Sequence, residues 1–105
     1  MRRVVITGLG TVNALGLDVA SSYPRILAGE NGVTTLDRFD TTGISATIAA
    51  QVDWDPAAHG FDVKEQRKLD PFTLWALMAS GEALKVAGIV DPRQLPVEER
   101  ERIGT

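Results

Sequence analysis

The chain has no cysteine and a single histidine, His59. Without a thiol it can form no disulfide, no thiolate metal site and no cysteine nucleophile, and one imidazole cannot make a zinc-binding histidine cluster. An excess of positive charge is also missing. The net charge of -3 argues against a nucleic-acid binder held by charge over the whole chain. No apolar run reaches membrane-spanning length. Met1-Arg2-Arg3 followed by Val4-Val5-Ile6 has the outline of a signal peptide, but Gly8, Gly10, Asn13 and Gly16 interrupt the apolar helix such a leader needs. The expectation is a cytoplasmic protein. At 105 residues the chain holds one domain at most, and a domain of that size buries roughly 60–70% of its unfolded surface. With 44% hydrophobic and 24% charged residues, the composition is that of a globular protein.

What is present is organised around Asp62 to Gly88. A compact basic turn, Lys64-Glu65-Gln66-Arg67-Lys68, leads through Asp70-Pro71 into a nearly uncharged run, Phe72 to Ala87. Asp70 is placed to cap a helix, Pro71 to occupy its first position and Gly88 to stop it. Leu74, Leu77, Met78 and Leu84 form a bulky face. Ala76, Ala79, Ser80, Ala83 and Ala87 form a small one, with the spacing of a close-packed contact. A helix apolar nearly all round predicts burial on every side. Its only charges are Glu82 and Lys85.

Taken in order, Arg3 to Thr7 reads as a strand, and its unbroken Val4-Val5-Ile6 predicts burial on both faces, as in a layered α/β sheet. Gly8-Leu9-Gly10 reads as a tight turn and Thr11 to Gly16 as a loop. Asp18 is a candidate N-cap. Pro24 would remove a hydrogen bond from a helix begun there, which favours a start nearer Ser21 or Ser22. Val33–Leu36 and Ala46–Val52 read as strands, the second as an edge or hairpin element. Asp62 and Glu65 have capping-box spacing, which predicts a short helix over Val63–Leu69, and the residue before Pro71 predicts a break at Asp70. Glu98–Arg102 reads as a turn of surface helix and Ile103–Thr105 as the approach to a strand.

Strand, Gly8-Leu9-Gly10, helix and then Asp37 is also the layout of a dinucleotide site. The third glycine of that fingerprint is Asn13 here, and Val12 and Ala14 stand where a short-chain dehydrogenase needs glycine. His59 lies alone in a loop, which favours a surface or packing role. Asp53 and Asp55 flank Trp54 but have nothing beside them to raise a pKa, so solvated loop carboxylates are the plainer reading. Ser21, Ser22, Ser45 and Ser80 lack a G-x-S-x-G context. Lys64, Arg67 and Lys68 fall at i, i+3 and i+4, one face of a helix, where they form either a solvated charge face or a receiving surface for an acidic helix or a phosphate.

Arg2-Arg3-Val4-Val5-Ile6-Thr7-Gly8-Leu9-Gly10, Leu27-Ala28-Gly29-Glu30-Asn31-Gly32-Val33, Arg38-Phe39-Asp40-Thr41 and Lys64-Glu65-Gln66-Arg67-Lys68-Leu69-Asp70-Pro71-Phe72 together resemble the β-ketoacyl-[acyl-carrier-protein] synthases, the condensing enzymes of fatty-acid synthesis. The resemblance covers Arg2 to Thr105 and is nearest to the type II elongating enzyme. Pro24 departs from it, since the family usually carries a helix former there. The resemblance implies that residues 1–105 are the N-terminal segment of a longer α/β protein of thiolase-like, layered α/β/α/β/α fold, incomplete in this chain, and normally a homodimer. It implies decarboxylative Claisen condensation with malonyl-acyl carrier protein, using a cysteine and two histidines that all lie downstream of the matched region. His59 matches neither histidine, so no catalytic residue is expected in this chain, and no cofactor or metal. The resemblance also implies that Lys64, Arg67 and Lys68 face the acidic helix of acyl carrier protein. The alternatives are a type II polyketide ketosynthase or chain-length-factor subunit, a nucleotide-binding Rossmann-like domain, and a stand-alone interaction module.

Overall fold

The computed structural model describes residues 2–104, and its longest element forms where the capping signals are strongest. Asp70 adopts extended N-cap geometry, Pro71 takes the first helical position, and α3 runs Pro71–Val86. Proline arrives there with its φ already set and no N–H to leave unpaired. At the far end Gly88 has φ 81°, and the Gly88 and Ile89 amides donate to the Lys85 and Leu84 carbonyls at 3.1 and 2.8 Å. That is a Schellman closure, which needs the left-handed residue that glycine supplies without cost. The expected Asp70 cap is a cap by backbone alone. Its side chain makes no capping hydrogen bond, while its carbonyl accepts from the Thr73 amide at 2.9 Å.

The small face of α3 receives the chain's first residues. A Cβ on Gly8 would lie 2.1 Å from the Ala83 carbonyl oxygen, and one on Gly10 would lie 1.9 Å from that of Ala79. Only hydrogen fits at either position. Gly8-Leu9-Gly10 is therefore not the tight turn its spacing predicts. Neither glycine has positive φ, and the segment serves as a strip of backbone laid along the helix. The strand predicted over Arg3–Thr7 does not form either. Val4, Val5 and Ile6 are 94%, 73% and 82% exposed. A ladder needs a second strand to receive its N–H and C=O groups, and among the described residues no strand lies alongside this run.

α1 spans Val19–Leu27 and starts at Asp18, not near Ser21 as Pro24 suggested. The Asp18 carboxylate accepts from the Ser21 amide at 2.7 Å, which is the N-cap bond. Pro24 then lies inside the helix. The hydrogen bond it forgoes would run to Ala20, and both residues are exposed, so water can take the freed carbonyl.

β1 (Val33–Thr35) and β2 (Ile48–Ala50) pair antiparallel with Val33 opposite Ala50, Thr34 opposite Ala49 and Thr35 opposite Ile48. Both are shorter than the sequence predicts, although the Leu36 amide adds a bond to the Thr47 carbonyl at 2.8 Å. α2 (Val63–Lys68) ends one residue before its predicted limit, and α4 covers Val97–Arg100. Ile103 and Gly104 are not in a strand, and Thr105 lies outside the described residues. The described chain is thus a mixed α/β piece with one two-stranded sheet, not a stack of layers. Leu74 is its one buried apolar side chain, at 2% exposure. The predicted burial of α3 on every side is not met. Phe72, Leu77 and Val86 are exposed, and so are Ala76 and Ser80 of the small face, while Leu74 is buried and Met78 and Leu84 are half-covered.

Candidate functional site

Asp62 and Glu65 build the base of the basic turn. The Glu65 amide donates to Asp62 Oδ1 at 2.8 Å, and the Asp62 amide donates to Glu65 Oε2 at 3.0 Å. This reciprocal capping box starts α2 and occupies both carboxylates of the turn with their own backbone. Lys64, Arg67 and Lys68 all lie on the exposed surface of α2. Among the described residues the ion pairs are Arg25 with Glu30 and Arg93 with Asp91, so none of the α2 cations is neutralised. Arg67 and Lys68 occupy the last turn, where cations suit the negative end of the helix dipole. The sequence-predicted trio is therefore brought together as one solvent-facing positive surface.

An aromatic cluster supports this turn. Trp54 meets Phe61 edge-to-face with ring centroids 6.3 Å apart, and Trp75 of α3 at 5.8 Å. Such pairs contribute about 0.5–1.5 kcal/mol each beyond simple burial. The Gln66 side-chain amide donates to the Phe61 carbonyl at 2.8 Å, closing the N-terminal side of α2. The Trp75 indole N–H is buried without an acceptor among the described residues.

A second polar constellation went unread in the sequence. Glu82 projects from α3 and accepts two backbone amides, Thr11 at 3.0 Å and Val19 at 2.8 Å. Asn13 donates to the Thr11 and Ser22 hydroxyls at 3.0 Å each and accepts from the Leu15 amide at 2.8 Å. Ser22 is 1% exposed. A lone carboxylate on an apolar helix was the available signal, because such a charge needs partners when covered. The position of Glu82 also weighs against the dinucleotide alternative. The first amide of α1, where a pyrophosphate would bind, is already taken by this carboxylate.

A cavity of about 370 Å3 lies between α1 and the hairpin, lined by Arg25, Asn31, Asp37, Arg38, Gln51 and Asp53 among others. Its two arginines are held by the protein. Arg25 donates to Glu30 at 2.6 Å and to the Leu15 carbonyl at 2.5 Å, and Arg38 donates to the Val52 carbonyl. With two cations and two carboxylates its lining carries no charge bias. Asp53 lines this cavity, whereas Asp55 caps the Ala57 amide at 3.0 Å, so the two carboxylates do not act as a pair. His59 is exposed in a short 3-10 turn. Among the described residues no three His, Cys, Asp or Glu side chains form a metal-ligating group.

The Ser21 hydroxyl and then its amide hold Asp18 below the ordinary carboxylate range. Thr42 does the same for Asp40, and Arg93 for Asp91.

Comparison with known proteins agrees with the sequence resemblance. The family described as "Beta-ketoacyl synthase, N-terminal domain" matches residues 1–105. A 3-oxoacyl-[acyl-carrier-protein] synthase 2 of Coxiella burnetii is 43% identical over 89 residues, covering 84% of this chain and 21% of that protein. The corresponding Staphylococcus aureus (strain COL) protein is 36% identical over 105 residues, covering 98% of this chain and 24% of its own. A Streptomyces halstedii protein named as a polyketide beta-ketoacyl synthase is 35% identical over 104 residues, covering 99% of this chain and 25% of that protein. The chain spans about a quarter of the length of these curated relatives.

Proposed function

Because the chain belongs to the β-ketoacyl synthase N-terminal domain family, we propose that it serves a condensing enzyme of fatty-acid elongation, and that α2 is where acyl carrier protein docks. The reaction is the decarboxylative Claisen condensation. Malonyl thioester loses CO2, and the carbanion equivalent attacks an acyl thioester carbonyl. A new C–C bond forms, and the enzyme's thiolate leaves. The nucleophilic cysteine cannot come from this chain, which has none. Its contribution is to recognise the carrier. The complete enzyme is a cytoplasmic homodimer of thiolase-like layered fold. No helix among the described residues is long and apolar enough to cross a membrane.

The observation that carries the docking reading is the unpaired, exposed trio Lys64, Arg67 and Lys68 on a turn whose own carboxylates are bound to backbone. In an acidic chain such a patch speeds encounter with an acidic partner and orients it. In the enzyme that carries this chain, Arg67→Glu together with Lys68→Glu should raise the KM for carrier-linked substrate about tenfold at low salt and less at high salt. Turnover of a small carrier-free thioester should stay within about twofold of wild type, since screened surface charges do not reach the reacting atoms. Equal loss on both substrates in steady-state kinetics would refute docking at α2.

The Streptomyces halstedii relative supports a second reading, a polyketide ketosynthase. Product analysis separates them. One condensation per elongation cycle fits fatty-acid synthesis, and accumulation of poly-β-keto chains fits the polyketide reading.

A further inference from the structure

α2 holds the basic trio on six residues, too few for a free helix to keep its own shape. Toward α3 it is joined only through Leu69 and Asp70, both in extended backbone, and such a joint fixes no helix direction by itself. Its other end is anchored by side chains. Gln66 binds the Phe61 carbonyl at 2.8 Å, and Phe61 touches Trp54, whose indole reaches Trp75 on α3. Among the aromatic pairs of the described residues, Trp54 alone touches both Phe61, which leads into the N-cap of α2, and Trp75 in the body of α3.

We infer that Trp54 is a positioning residue for carrier recognition, fixing the angle of α2 on α3 and so the direction in which Lys64, Arg67 and Lys68 face. The inference rests on the docking reading proposed above. Loss of the ring leaves every charge in place, so long-range attraction survives while the oriented complex is lost. Charge reversal does the opposite and removes the attraction itself.

The test uses the enzyme that carries this chain, with Trp54→Leu, Trp54→Phe and the Arg67→Glu, Lys68→Glu pair. Trp54→Leu should speed amide hydrogen exchange in α2. It should raise the KM for malonyl-carrier substrate about tenfold, because α2 must then be ordered in the act of binding, with the salt dependence of that KM retained. Carrier-free turnover should be unchanged, and Trp54→Phe, which keeps an aromatic edge, should behave as wild type. In the charge-reversed background Trp54→Leu should add less than about twofold, because the two changes act on one surface. Should Trp54→Leu fail to fold, Phe61→Leu cuts the same link while leaving Trp54 against Trp75. Unchanged exchange in α2, or equal loss of carrier-free turnover, overturns the inference. If charge reversal alone leaves the carrier KM unaltered, the docking reading falls, and the exchange measurement still decides whether Trp54 holds α2.

Discussion

Glu82 shows how much one side chain can settle. It is the acid of an otherwise apolar helix face, half-buried, and it ties the Thr11 and Val19 amides to α3. Each of those amides would be an unpaired donor without it. Glu82→Gln keeps one acceptor oxygen and turns an NH2 group toward the second donor, so one amide must lose its bond. Thermal unfolding should show a loss of about 1–3 kcal/mol, the cost of one covered and unsatisfied polar group. A wild-type melting curve would mean that water already serves one of the two amides. That Lys64, Arg67 and Lys68 share one face was legible from spacing, since i, i+3 and i+4 coincide on any helix. The role of Glu82 was not, because its partners lie 71 and 63 residues away in the chain.

At the scale of elements, a satisfied cap outweighs an interruption. The Asp62–Glu65 box and the Pro71 start form as their spacing requires. α1 begins at Asp18 in spite of Pro24, because a cap that satisfies the Ser21 amide and hydroxyl, together with Glu82 on Val19, outweighs one hydrogen bond lost on the exposed side. The Asp18 cap carries a pH signature. Its folded pKa lies below the ordinary value, first through the Ser21 hydroxyl and then through the Ser21 amide. Its charged form therefore stabilises α1 fully above the unfolded value of about 3.9, and that contribution is lost as pH falls through the lower folded value. Asp18→Asn keeps the cap acceptor but does not titrate. The advantage of wild type over Asp18→Asn in melting temperature should shrink between about pH 5 and pH 2.5. A constant difference across that range would show that the charge of Asp18 contributes nothing.

At the scale of the whole molecule the arrangement is open. The radius of gyration is 17.5 Å, against about 13 Å for a compact domain of roughly 100 residues. Val4, Val5, Ile6, Phe72 and Leu77 face outward together with other large apolar side chains. Apolar surface beyond a few hundred Å2 rarely stays free in water, so the 105-residue chain by itself should associate. Its sedimentation coefficient should rise with concentration, and a monomer that melts cooperatively at every concentration would contradict this and favour a stand-alone module. The sequence by itself determined the helix boundaries around Asp62, Pro71 and Gly88, the shared face of the α2 cations, the small face of α3 and the family, because caps, periodicity and motifs act over a few residues. Tertiary structure alone decided that Gly8 and Gly10 lie flat on Ala83 and Ala79, that Glu82 holds two distant amides, and that Val4-Val5-Ile6 has no strand beside it. Each of these depends on which remote backbone arrives within hydrogen-bonding or van der Waals distance, and no local pattern along the chain encodes that distance.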